Sequence, residues 1–110
     1  MAKGCSLRFY MHENARHRGG LLYDWLLTQA KQQGVHGGSA FLAMAGFGRH
    51  GVLHEHQFIE LQGDLPVLVE FLVTEAEAQQ ILDLVRADGA HLFWVKAPVE
   101  FGILGQEDPV

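Results

Sequence analysis

The residues best suited to chemistry fall in three short segments. His50, His54 and His56 lie within one glycine-flanked stretch, and His54 and His56 are two apart, so they share a face if that piece is extended. Three imidazoles with Glu55 or Glu60 nearby could hold zinc or copper, a divalent-metal site made from loop residues. No HExxH motif or cysteine pair accompanies them, and the plainer account is a solvated loop whose histidines contact a partner. His12-Glu13 and Arg16-His17-Arg18 form a second, basic segment. It leads into a helix, whose first amides could join it in holding a phosphate; an ordinary basic turn explains it equally well. The third set is glycine-rich: His36-Gly37-Gly38-Ser39, and Gly46-Phe47-Gly48-Arg49-His50-Gly51. Glycines let a ligand approach the backbone and its amides, and Arg49 could reach an anion or a partner carboxylate. Nucleophilic catalysis has little support. Ser39 is not in a GxSxG elbow, and Cys5 sits on the apolar parity of its segment.

The elements that must position these residues follow from periodicity. Residues 5–12 alternate, with Cys5, Leu7, Phe9 and Met11 on one face, as a strand requires. Leu21, Leu22, Trp25, Leu26 and Gln29 form a helical stripe that Gly34 ends. Residues 39–47 are uncharged and suit a buried strand, although Ala40, Ala43, Ala45 and Gly46 would suit a helix too. Residues 48–63 read as a long hairpin-like flap with a strand of its own. Pro66 then opens PVLVEFLV, apolar enough for a central strand covered on both faces. Thr74-Glu75-Ala76-Glu77 is a capping box for an amphipathic helix over 75–87, and HLFWVKAP reads as the last strand. The tail is apolar to Leu104, and 105–110 is expected to be disordered, leaving residues 1–104 as one domain.

This order, β-α-β-(flap)-β-α-β, predicts an α+β ferredoxin-like βαββαβ (split βαβ) sandwich with both helices on one face of the sheet. The other face should be polar in a monomer. It carries instead Tyr10, Leu42 and Met44, Leu68 and Leu72, and Phe93 or Trp94, so association through the sheet is expected. Arg8 and Glu70 would share that face on neighbouring strands and should pair.

Composition limits the partners. The chain has 110 residues with eight Lys+Arg against thirteen Asp+Glu, a formal charge of −5 that argues against nucleic acid. One cysteine excludes an intrachain disulfide. No apolar run approaches the ~18–20 residues of a membrane span, and the start lacks a signal-peptide layout. A cytoplasmic protein without membrane insertion is the expectation.

The sequence GFGRHG before the flap, then LPVLVEFLV, a capped helix and LFWVKAPVE, resembles the nitrogen-regulatory PII proteins. Along nearly the whole chain, LRFYMHEN, LLYDWLL, HGGSA, GFGRHGVLHEHQF and ELQGDLPVLVEF resemble the smaller PII-like family known as domain of unknown function 190. The resemblance implies a non-catalytic, signalling homotrimer. It implies a small effector, an adenine nucleotide being the candidate, held in clefts between subunits at the base of the flap. Gly46, Phe47, Gly48 and Arg49 match the segment that lines the nucleotide site in PII, and Gly37, Gly38 and Ser39 correspond loosely. The flap, with His50, His54, His56 and Phe58, would contact a regulated protein such as a membrane transporter. The chain departs from PII in three places. The link Arg86–His91 is too short for the PII phosphate loop, the tail GILGQEDPV lacks basic residues, and the flap has no tyrosine. These departures weigh against ATP held in the PII manner and leave open a smaller or differently held adenine nucleotide. The alternative is a metal-binding trimer, as in the divalent-cation-tolerance proteins, with His50, His54 and His56 as ligands. A small enzyme ranks last, since no nucleophile–base pair stands out.

Overall fold

The first strand, β1, runs Ala2–His12, three residues longer at its start than the alternation suggests. The computed structural model to which it belongs describes residues 2–47 and 65–105. Cys5, Leu7 and Phe9 are fully buried along one side of β1, as their parity requires. A small hairpin follows, β2 (Arg16–His17) and β3 (Gly20–Leu21). Its two-residue turn places Arg18 at φ 52° and Gly19 at φ 80°. Two left-handed residues are what a hairpin turn of type I′ needs, because their twist matches that of the strands.

Helix α1 spans Leu22–Gln32 and buries Leu22, Leu26 and Ala30. Left-handed Gly34, at φ 88°, stops it. Strand β4 is Ser39–Leu42, β5 is Pro66–Val73, helix α2 is Glu75–Ala87 and β6 is Phe93–Phe101. Thr74 caps α2 with the full reciprocal box. Its hydroxyl accepts from the Glu77 N–H at 3.1 Å, and the Glu77 carboxylate accepts from the Thr74 N–H at 3.0 Å.

The strands pair antiparallel in the order β4-β5-β1-β6, with the first and third core strands in the centre. Both helices pack on one side, and Phe9 and Phe71 meet edge to face at 6.2 Å in the core they cover. This is the ferredoxin-like α+β architecture.

Three local expectations change. The stretch expected as a strand over 39–47 is a strand only to Leu42. The Ala43 N–H still donates to the Pro66 carbonyl at 2.9 Å, but Met44 beyond it is almost wholly exposed. Alanines and glycine give that continuation little side-chain surface to hold it on the sheet. The register also changes which residues occupy the uncovered face. Leu42 lies opposite Val67 and Trp94 opposite Phe9, so both are on the helix side. Phe41, opposite Leu68, and Phe93, opposite Tyr10, take the uncovered face. Strand β5 is covered on the helix side, whereas Leu72 on the other side stays 52% exposed. The expected strand within 48–63 and the tail beyond Gly105 lie outside the described residues.

Candidate functional site

Where the chain leaves β4 and returns at β5, its two feet are fixed by backbone hydrogen bonds. The Ala43 N–H reaches the Pro66 carbonyl, and the Glu13 N–H donates to the Leu65 carbonyl at 2.8 Å. Gly46 packs against Pro66 so closely that a Cβ there would stand 3.0 Å from the proline ring. Beside these feet opens a cleft of about 590 Å³ whose walls include Tyr10, His12, Phe47, Pro66, His91 and Phe93. Tyr10 and Phe93 are cross-strand partners with ring centroids 5.6 Å apart and tilted by 46°. Aromatic and proline surfaces with histidines at the edge suit a planar heterocycle better than a bare anion.

The other glycine segment lies elsewhere. Gly37 and Gly38 border a separate groove of about 320 Å³ with Leu27, Lys31, His36 and Phe71. His36 Nδ1 stands 3.5 Å from the Glu77 carboxylate there. A Cβ at Gly38 would meet the Phe71 ring at 2.5 Å, so that glycine is required by packing. Nothing lies within 4 Å of the corresponding position at Gly37, which is open. Strand β4 separates the two segments, with Gly37, Gly38 and Ser39 at its start and Gly46 and Phe47 past its end. At ~3.3 Å per residue they are well over 10 Å apart. Within one chain they do not form one site. Gly48, Arg49, His50, His54, His56 and Phe58 lie outside the described residues, and among the described ones no group of three or more metal-ligating side chains comes together.

The basic turn is neutralised from within. Asp88, at the C-cap of α2, accepts from Arg18 Nε at 2.6 Å and Nη2 at 2.8 Å, and its Oδ2 is also 2.6 Å from His17 Nε2. The Arg18 and His17 hydrogen bonds hold its carboxyl down to about 2. His17 lies edge to face with Trp25 at 4.4 Å. The phosphate expectation for Arg16-His17-Arg18 therefore gives way to a latch between the β2–β3 hairpin and the end of α2. In the sequence Asp88 reads only as part of the helix stop, although a signal for its ion pair is present. A carboxylate at a helix C-terminus opposes the helix dipole and calls for a nearby cation. Cys5 is buried, with its thiol pushed up chiefly by burial and by the nearby Glu75 carboxylate, as befits a packing residue.

The sheet order and the helices on one face are those of the PII-like fold. The match to the family described as DUF190, "Uncharacterized ACR, COG1993", extends over residues 4–99, and the chain belongs to that family. It is 31% identical over 80 residues to a UPF0166 protein of Aquifex aeolicus, covering 73% of this chain and 76% of that one. Among solved structures it resembles CPII of Thiomonas intermedia K12, a nitrogen regulatory PII-like protein bound to ADP, AMP and bicarbonate. The TM-score is 0.61 at 13% identity, over 92% of this chain and 97% of that one. The same protein with ADP, AMP and acetate gives a TM-score of 0.62 at 12% identity, over 94% of each chain. At these identities the likeness shows the fold. No helix among the described residues is long and apolar enough to cross a membrane.

Proposed function

We propose that this chain is a non-catalytic, cytoplasmic PII-like regulatory protein that works as a homotrimer. It takes a small effector, an adenine nucleotide as first candidate, in clefts between subunits at the base of the flap. The segment 49–62 would contact a regulated protein, for which a membrane transporter is one candidate. The observation that carries this reading is the aromatic cleft beside Phe47 and Pro66, at the feet of the excursion. Two facts support it: CPII, of the same fold, is described as bound to ADP and AMP, and the sheet face next to the cleft is apolar and uncovered in a single chain. Assembly would also explain how the two glycine segments could share one site. Gly37, Gly38 and Ser39 of one copy would approach Gly46, Phe47, Gly48 and Arg49 of the next, which no single copy permits.

The test is a nucleotide panel screened by thermal shift on protein whose trimeric mass has been verified, followed by calorimetry. Saturable binding of one adenine nucleotide per cleft is the expected result. A verified trimer that binds none of the panel would overturn the sensing role. A protomer mass at micromolar concentration would overturn the assembly.

A further inference from the structure

The uncovered sheet face carries large apolar side chains around a small polar cluster. Register places Phe41, Leu68, Tyr10 and Phe93 side by side across the four strands, and Leu72 lies beside Ser6 and Ala97 four residues along. Between these rows runs Ser39, Glu70, Arg8 and Val95. In that middle row Glu70 Oε2 accepts from Arg8 Nε at 3.1 Å and from the Ser6 hydroxyl at 3.1 Å, while Arg8 Nε also approaches Ser6 Oγ at 3.2 Å.

All the bonds to Glu70 pass through one of its oxygens, and the Arg8–Glu70 contact uses Nε alone. Among the described residues Glu70 Oε1 has no partner, and most of the four Nη hydrogens of Arg8 are unused. This is an end-on pair, unlike the two-toothed fork that arginine prefers with a carboxylate. In a lone chain water meets the remaining valences, since the Arg8 side chain is 44% exposed and that of Glu70 22%. If the surrounding apolar rows are covered, that water leaves and the spare donors and acceptor must find protein partners.

We infer that the occupant of this face is a second copy of the chain, and that Arg8 of one copy completes its pairing on Glu70 of the next. The inference rests on the homotrimer proposed above and adds which residues set its register. Charge complementarity identifies the occupant. A face whose one guanidinium and one carboxylate stand side by side among mainly apolar side chains is complementary to itself. Buried polar groups of this kind fix register because any displaced arrangement leaves them unpaired.

The test uses trans rescue. R8E and E70R chains are made separately, checked by circular dichroism, and measured alone and as an equimolar mixture by sedimentation velocity and light scattering over a dilution series. Each variant alone should associate about tenfold or more weakly than wild type, since each places like charges across the interface. The mixture should recover assembly in part, because a mixed trimer has two interfaces of opposite charge and one that keeps like charges. Variants that associate like wild type, or a mixture no better than its components, would overturn the inference while wild-type trimers kept the broader reading intact. Wild type at the mass of one protomer at every concentration would instead overturn the assembly, and this inference with it. If either charge reversal fails to fold, R8Q and E70Q take its place. Each should weaken association by about tenfold, and unchanged association in both would overturn the pairing.

Discussion

Adjacent glycines offer the sharpest test of how packing and binding divide the segment before β4. A Cβ at Gly38 would stand 2.5 Å and 2.7 Å from two carbons of the Phe71 ring and 3.1 Å from Leu27. Ordinary contact begins near 3.4 Å, so the ring would have to retreat by about 1 Å. It has little room to do so, being 1% exposed and set edge to face against Phe9. Overpacking of this kind costs about 1–3 kcal/mol. For a domain of this length that is a fall in Tm of about 5–15 °C. At Gly37 the same substitution meets open space, and reduced freedom of the unfolded chain should leave stability unchanged or raised by up to ~1 kcal/mol. Urea unfolding of G37A and G38A reads both, and F71L added to G38A should restore part of the loss by vacating ring volume. Equal effects at the two glycines, or a loss below ~0.5 kcal/mol in G38A, would refute the packing account. Effector binding can then be read in G37A, where stability does not confound it.

T74A removes the hydroxyl half of the α2 capping box and should cost about 1 kcal/mol in chemical denaturation, with little change in the slope of the transition. The Asp88 carboxyl is held at about 2 when folded, against an ordinary 3.8. Its contribution is therefore complete above the ordinary value and disappears as pH falls through about 2, so D88N should be less stable at neutral pH and flatten the acid limb of a stability–pH curve. F47A removes one wall of the cleft from a residue 66% exposed, so stability should move by no more than ~0.5 kcal/mol while nucleotide affinity measured by calorimetry falls. Unchanged affinity in F47A would place the effector elsewhere.

The parts of the fold governed by local rules were legible from the sequence. Helix α2 begins after Thr74 and ends at Ala87 because a capping box and an Asp-Gly stop are both written within a few residues. Strand β5 begins at Pro66, where the ring tolerates only a strand's first position or an edge. The Arg8–Glu70 pair follows from parity on two neighbouring strands. What the sequence hid depends on distant neighbours. At the start of β1, Gly4 interrupts the alternation, and the structure explains its presence: a Cβ would strike the Val73 carbonyl and the Phe101 ring. Leu42 and Phe41 are equally apolar, and only the register against β5 decides which faces the helices. The Asp88 latch joins residues 70 and 71 positions apart, beyond any periodicity argument. Of the candidate site, the structure shows that Phe47 lines the cleft and that Gly46 packs on Pro66. The cleft's aromatic walls, Tyr10 and Phe93, read in the sequence only as an association surface.

The latch also bears on how the cleft is held. Asp88 opens the link to β6, and His91, Leu92 and Phe93 at the end of that link form one wall of the cleft. Tying Asp88 to Arg18 and His17 therefore fixes that wall to the hairpin that precedes α1, which supplies Leu22 to the same cleft. Arg18 holds a left-handed backbone conformation that a non-glycine residue adopts at a cost, and its bidentate bond to Asp88 offsets that cost. Tyr10, Met11 and His12 are set by the central strand β1. Three sides of the cleft are thus carried by the sheet and the latch. The remaining side, Phe47 and Pro66, belongs to the feet of the segment proposed to meet a partner. In that reading, effector and partner communicate through two residues, one an exposed aromatic and the other a proline whose carbonyl is tied to β4's continuation. A partner that grips the segment would shift the cleft's affinity by moving this side alone, and reciprocity requires the effector to change the partner's affinity by the same factor.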